Sequence, residues 1–229
     1  MPDYTRLLAR IPLFQGLAND ELASIAGLAY TRQFRPKQVV VRQSDAGGDM
    51  FIILEGHTKV VASDPEGKDT GLGIMGPEEV FGEVSLFDGA ARSATIVAID
   101  ACQMLVIEQE PFRRFLEQHP RVAIRLLSVM ARRLRQLTER SGDIAFRTVS
   151  ARLAKAILQL ADKYGRKEED RVRVLFKLSQ QDIGDLIGAT RESANKHIRH
   201  WEQQGIMLQD SGHLVILDME RLRENAQGV

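Results

Sequence analysis

The sequence predicts an α+β fold: an antiparallel β-sandwich or barrel first, then one long helix, then a helical C-terminal part with a short β wing. Three observations carry this. Short β-rich runs, each ended by turn residues, crowd the stretch from Gln33 to Ile107. From Pro120 to Ser141, Ala123, Leu127, Met130, Leu134 and Leu137 recur at alternating spacings of four and three, a heptad seam. Beyond Phe146 helical periodicity dominates until a compact apolar segment around Ser211-Gly212. At 229 residues the chain has room for two cores, and 44% hydrophobic with 27% charged residues excludes a disordered tail or a fibre.

Taken in order, Leu7 to Ala29 reads as short helices, with Asn19 as an N-cap and Leu22, Ile25, Ala26 and Ala29 on one face. Strands are expected at Val39–Val41, Met50–Leu54, Lys59–Ala62, Ala94–Ala98 and Gln103–Ile107. Gly71-Leu72-Gly73-Ile74-Met75-Gly76 spells G-x-G-x-x-G, but Pro77 follows directly in a β-rich region, so no dinucleotide site is expected. The heptad helix carries Arg121, Arg125, Arg132, Arg133, Arg135 and Arg140 on its flanks. Its apolar seam suits either packing on its own domain or pairing with a second copy. Gly142-Asp143 interrupts the pattern and is the expected hinge. Phe146, Val149, Leu153, Ile157 and Leu160 then share one helical face. The expected domains are 1–117, 118–145 for the long helix and hinge, and 146–229.

The stretch richest in chemistry is Phe81-Gly82-Glu83-Val84-Ser85-Leu86, closing on Arg92-Ser93-Ala94-Thr95. Gly82 has no side chain to keep a ligand from the backbone. Glu83 to Phe87 can form a helical turn whose free N–H groups face an anion. Arg92 offers a planar cation for phosphate, with the Ser93 hydroxyl beside it. A carboxylate so close to an arginine makes sense if each meets a different part of one ligand, a sugar hydroxyl and a phosphate. Taken singly, these residues also fit an ordinary surface Glu/Arg pair.

The second constellation runs from Leu178 to Trp201. Ser179 is an N-cap with Asp182 at the third helical position, Gly188 permits a sharp turn, and Thr190 caps the next helix. On that helix Ala194, Ile198 and Trp201 form a buried stripe, and Gly205 ends it. Arg191, Glu192, Asn195, Lys196 and Arg199 lie opposite. Arginine and lysine match guanine acceptors and glutamate accepts from the cytosine amino group, so this helix has the chemistry to read base edges. A solvated charged face is the plainer reading, but the capped small-residue turn and inward stripe together favour a helix-turn-helix. The DNA-contacting set is expected to be Ser179, Gln180, Arg191, Glu192, Asn195 and Lys196.

With both motifs in view, F-G-E-x-x-L followed by R-S-A-T resembles the phosphate-binding cassette of cyclic-nucleotide-binding domains, and R-E-x-x-x-K resembles the recognition helix of the CRP/FNR family of bacterial transcription factors. The resemblance runs from Ile11 to Leu217. It implies a cyclic-nucleotide-binding β-roll (jelly-roll), a long dimerisation helix and a C-terminal winged helix-turn-helix, with Met207 to Leu217 as the wing. By the same resemblance Glu83 meets the ribose 2′-hydroxyl, Gly82 lies against the ribose, Arg92 and Ser93 hold the cyclic phosphate, Thr138 reaches the purine, and Val84 completes the ligand-binding set. Ala91 stands where many cassettes have proline, and Leu137 where cyclic-AMP receptor protein has a hydroxyl residue, which leaves the base open. Cyclic AMP is the expected ligand; cyclic GMP, cyclic di-GMP or no ligand are the alternatives. Lys196 replaces the commoner arginine and loses its bidentate geometry.

The resemblance further implies a homodimer on palindromic TGTGA-like half-sites and contact with RNA polymerase. No enzyme chemistry, cofactor or metal is expected: His197 and His200 lack ligand partners at the right spacing, His57 lies in a strand turn, and Cys102 is isolated and expected to be buried. Lysine plus arginine (31) equals aspartate plus glutamate (31), so any nucleic-acid surface must come from local segregation of charge. The lone cysteine, the absence of an ~18-residue apolar run and an opening Met1 to Arg6 unlike a secretory leader lead to the expectation of a cytoplasmic, non-membrane protein.

Overall fold

The structure, a computed structural model, describes residues 4–64, 66, 69–146 and 148–228; the side chains of 129, 133 and 136–146 lie outside the described set. The elements in chain order are α1 (Thr5–Arg10), α2 (Asn19–Gly27), β1 (Ala29–Phe34), β2 (Val39–Val41), β3 (Met50–Glu55), β4 (Thr58–Ser63), β5 (Asp69–Met75), β6 (Val80–Phe81), α3 (Glu83–Asp88), β7 (Thr95–Ala98), β8 (Cys102–Ile107), α4 (Gln109–Gln118) and α5 (Pro120–Phe146). There follow α6 (Val149–Tyr164), β9 (Gly165–Glu168), β10 (Arg171–Lys177), α7 (Gln180–Ile187), α8 (Arg191–Gln203), β11 (Met207–Asp210), β12 (His213–Ile216) and α9 (Met219–Gln227).

The chain forms two compact units, Met1–Thr58 with Met75–Thr138, and Lys59–Ile74 with Glu139–Val229. In the first, an antiparallel sheet of order β1-β8-β3-β6 carries the core. The central strands β3 and β8 bury nearly every residue, including Met50, Ile52, Leu105 and Ile107, because both of their faces are covered. A second sheet has the order β2-β7-β4-β5. In the second unit β11-β12-β10-β9 form a small sheet beside α6, whose Ala151, Leu153, Ala154 and Ile157 are buried.

Several expectations shift. Asn19 is the first helical residue of α2 rather than its cap; Ala18 takes the cap position, and its N–H donates to the Glu21 carboxylate at 2.9 Å. The helix α5 runs without interruption through Gly142-Asp143 to Phe146. One helical glycine costs only ~1 kcal/mol, which the flanking helix-forming residues outweigh. Phe146 therefore ends α5, and a new helix starts at Val149, capped by the Thr148 hydroxyl accepting from Ala151 N–H at 3.2 Å. The strands β1, β5, β6, β9 and β10 and the helix α9 were not among the expected elements.

Along α5 the residues that anchor the helix to its own unit are Val122 and Leu126, both buried. The heptad seam points elsewhere: Leu127 and Leu134 each keep 66% of their surface exposed, and Ile124 keeps 63%. The Leu137 side chain lies outside the described set. No helix of the described residues is long and apolar enough to cross a membrane.

Candidate functional site

Strand β6 ends on Phe81, and the chain must turn at once to start α3. Gly82 makes that turn with φ of +84°, a left-handed conformation that side chains disfavour. A Cβ there would also lie 2.6 Å from the Asp49 carbonyl oxygen and 2.7 Å from Arg92 Nη1. Glycine is thus required both by backbone conformation and by the guanidinium packed against it. On the facing loop, a Cβ on Gly47 would sit 2.1 Å from Ser85 Cβ, so the two segments close on each other with no space for a side chain.

Arg92 is fixed from all sides. Its backbone N–H donates to Asp45 O and its carbonyl accepts from Ser44 N–H, both at 2.9 Å. Its guanidinium donates from Nη1 to Gly82 O at 3.0 Å and stands 5.8 Å from the Phe51 ring centroid, while Phe51 stacks on Phe81 at 5.0 Å. Only 7% of the residue is exposed, and Glu83 beside it is 2% exposed. Burial pulls the Arg92 pKa down, and the charges of Asp49 and Glu83 oppose that pull. A guanidinium so desolvated gains from any further negative charge brought against it. The arrangement therefore suits an anion with a hydroxylated neighbour.

Gly82, Glu83 and Arg92 are brought together as the sequence implied. Ser93 and Val84 lie exposed at the edge of the same cassette. Thr138, expected at the purine, lies outside the described side chains.

In the second unit, the Ser179 hydroxyl accepts from Asp182 N–H at 3.1 Å and the Asp182 carboxylate accepts from Ser179 N–H at 3.0 Å, a closed capping box at the start of α7. Asp182 also holds Lys59 of β4. Burial alone would raise the Asp182 pKa, but Lys59 and Ser179 outweigh it and hold the carboxyl below its ordinary value. Gly188, with φ of +62°, ends α7, and the Thr190 hydroxyl accepts from Ser193 N–H at 3.2 Å to start α8. Ala194, Ile198 and Trp201 are buried as expected, which turns Arg191, Glu192, Lys196 and Arg199 outward.

Gln180 Nε2 donates to Asn195 Oδ1 at 3.0 Å, and both residues are half-buried. The sequence hides this pair because its members stand on different helices. His197 lies half-buried with its ring 6.5 Å from Trp201. Its pKa is lowered by burial first, then by Lys196 and His200. No group of metal-ligating side chains is present among the described residues. The G-x-G-x-x-G run lies in β5 except for its last glycine, Gly76, and a Cβ on Gly71 would stand 2.6 Å from the Asp185 carbonyl carbon, so that glycine serves packing.

Comparison with known proteins assigns both halves. Residues 31–119 match the cyclic nucleotide-binding domain and residues 151–225 the Crp-like helix-turn-helix domain. Over 221 residues, 96% of this chain and 99% of the relative, the chain is 32% identical to the CRP-like cAMP-activated global transcriptional regulator of Mycobacterium tuberculosis. The chain belongs to the CRP/FNR family of transcription regulators. As a CRP/FNR member it is a DNA-binding regulator with a cyclic-nucleotide-binding domain, in a family whose members are not enzymes. It is also 30% identical over 183 residues, 78% of this chain and 85% of the relative, to the cAMP-activated global transcriptional regulator CRP of Salmonella typhimurium. The solved structure of the Thermus thermophilus catabolite activator protein superposes with a TM-score of 0.54 at 26% identity, covering 94% of this chain and 98% of that one.

Proposed function

We propose that this CRP/FNR regulator senses cyclic AMP through Gly82, Glu83, Val84, Arg92, Ser93 and Thr138, and binds palindromic TGTGA-like sites as a homodimer. Residues 1–117 would be the sensor, 118–145 the dimerisation helix and hinge, and 146–229 the DNA reader. The observation that carries the reading is Arg92: a buried residue, 7% exposed, whose guanidinium donates to Gly82 O and packs against that glycine beside the buried Glu83. A cyclic phosphate would meet the Arg92 guanidinium, and Glu83, buried in the same cassette, would take a ribose hydroxyl of the same molecule. Cyclic AMP is chosen because the Mycobacterium and Salmonella relatives are both cAMP-activated regulators.

The exposed seam of Leu127 and Leu134 supports pairing through α5, since an apolar stripe of that spacing is stable in water when a second copy covers it. In the reader, Arg191, Glu192 and Lys196 would contact bases, while Ser179 would meet phosphate. RNA polymerase is the proposed protein partner and the cytoplasm the proposed location.

Titration calorimetry of the purified chain with cyclic AMP, cyclic GMP and cyclic di-GMP tests the sensor. Cyclic AMP should bind, and Arg92→Ala should weaken it by ~2 kcal/mol or more, the scale of charge-assisted hydrogen bonds lost from a buried site. Equal affinity in wild type and Arg92→Ala would overturn the assignment. Gel shifts with the same ligands then identify which nucleotide drives operator binding.

A further inference from the structure

Helix α7 brings two carboxylates, Asp182 and Asp185, and no lysine or arginine to the reader. The first helix of a helix-turn-helix crosses the DNA backbone, so a helix with two negative charges must approach a row of phosphates. What offsets them lies far away in the sequence. The hairpin of β4 and β5 comes early in the chain, yet Lys59–Ile74 belongs to the same compact unit as α6 to α9. Lys59 Nζ pairs with Asp182 Oδ1, while Oδ2 of that carboxylate accepts from Ser179 N–H at 3.0 Å. One oxygen is held by the hairpin and the other by the cap. The hairpin is seated by backbone as well as by charge. A Cβ on Gly71 would stand 2.7 Å from Asp185 O and 2.9 Å from Leu186 N, so β5 reaches α7 with no room for a side chain. At the end of that strand, Tyr164 Oη of α6 donates to Ile74 O at 3.4 Å. Lys59, Gly71 and Gly73 share one small recess with Asp182, Asp185 and Leu186. The first two glycines of the G-x-G-x-x-G run thus have a use: they seat a lysine on α7.

We propose that Lys59 belongs to the DNA-binding machinery: its ammonium cancels the charge of Asp182 and so lets the first turn of α7 approach a DNA phosphate. Ser179, the cap that Asp182 holds, is the residue that meets the phosphate. With Lys59 in place the repulsion between Asp182 and the phosphate is offset locally; without it the carboxylate acts uncompensated. Lys59 works through Asp182 and reads no base, because charge at the backbone carries no sequence information. The residue lies outside the stretch 151–225 that matches the helix-turn-helix domain. The proposal rests on Ser179 meeting phosphate and goes beyond it by adding a residue from a different part of the chain.

The experiment measures operator and non-specific DNA affinity by fluorescence anisotropy, at low and at high salt, with the full chain saturated with cyclic AMP. Together the positions 59 and 182 carry no net charge in wild type, one negative charge in Lys59→Met and two in Lys59→Glu. They carry one positive charge in Asp182→Asn and none again in the double variant Lys59→Met/Asp182→Asn. Each added negative charge should weaken binding about twofold to threefold at low salt, the scale for charges ~8 Å apart in water. The double variant should return to the wild-type value. These steps should shrink as salt rises and should be equal on operator and non-specific DNA. Gly71→Leu, which unseats the hairpin by bulk and not by charge, should weaken binding as Lys59→Met does. Carbodiimide, which joins an amine to a carboxylate in contact, should link Lys59 to Asp182 in wild type, as peptide mass spectrometry would show. A loss in Lys59→Met that Asp182→Asn does not relieve would make Lys59 a prop of the fold and overturn the proposal. Unchanged or tighter binding in Lys59→Met would overturn it too. A wild-type chain that binds no DNA at any salt is a separate failure, one that removes the reader itself. Circular dichroism melts of each variant distinguish unfolding from altered electrostatics.

Discussion

Two residues show how single side chains are decided by their surroundings. Gly82 needs both a left-handed φ and an empty Cβ position, so Gly82→Ala meets backbone strain and a clash with Asp49 O and Arg92 Nη1 together. Since the guanidinium can yield only by leaving its hydrogen bond to Gly82 O, nucleotide affinity should fall by an order of magnitude or more in calorimetry, at the ~1–3 kcal/mol cost of such strain. Unchanged affinity would mean that the ligand does not use this turn. Cys102 is the opposite case, a reactive atom made inert. Burial first, and then the charge of Asp100, push its thiol up to about 12, while Sγ donates to His57 O at 3.3 Å. Because the thiolate is the nucleophile, the folded chain should resist iodoacetamide at pH 8 and become alkylated only in denaturant, as mass spectrometry would report.

At the scale of elements, turns and caps carry the architecture. The Asp100 carboxylate accepts from His57 N–H at 2.6 Å and pairs with His57 Nδ1 at 2.8 Å, tying the turn after β3 to the turn before β8. Burial alone would raise the Asp100 pKa; the hydrogen bonds and charge of His57 outweigh it and lower it. A carboxyl depressed in the folded state stabilises the fold above its unfolded value of about 3.9, and that contribution is lost as pH falls through the folded value. Asp100→Asn should therefore flatten the acid side of the stability profile, measured as urea midpoints from about pH 5 downward. The α7–α8 caps, the turn at Gly188 and the buried stripe of Ala194, Ile198 and Trp201 were legible because they obey local rules of spacing and side-chain chemistry. β1 was not: of Ala29 to Phe34 only Phe34 is buried, so no alternation marks it. α9 is equally quiet, with Leu222 its one buried residue among those described. In the site, the order Gly82, Glu83, Arg92 was legible through family resemblance. The Gln180–Asn195 bond was not, since only folding brings together residues fifteen apart on two helices. The seam of α5 was legible as a pattern and ambiguous in use. Its exposure now predicts that Leu127→Lys leaves the single chain folded but monomeric in sedimentation, whereas Leu126→Lys, at a buried position, unfolds it.

For the molecule as a whole, equal numbers of acidic and basic residues mean that global charge does not draw the chain to DNA. Attraction must come from the cations of the reader, so operator affinity should fall with salt in proportion to the few phosphates each copy neutralises. Regulation then requires more than two sites in one chain; it requires that their binding free energies be linked. A nucleotide can shift the protein only by its differential affinity for the DNA-binding and non-binding states. Linkage is reciprocal, so whatever factor cyclic AMP adds to operator affinity, saturating operator must add to cyclic AMP affinity. Measuring both Kd values, each with and without the other ligand, should return the same factor, of order 5–150 for typical coupling. Arg92→Ala should raise the cyclic AMP concentration needed to reach that factor, while Glu192→Ala should leave the cyclic AMP affinity of the DNA-free protein intact. A factor of one in wild type would leave a nucleotide binder and a DNA binder that share a chain without communicating, and the regulatory reading would fall although both sites were occupied.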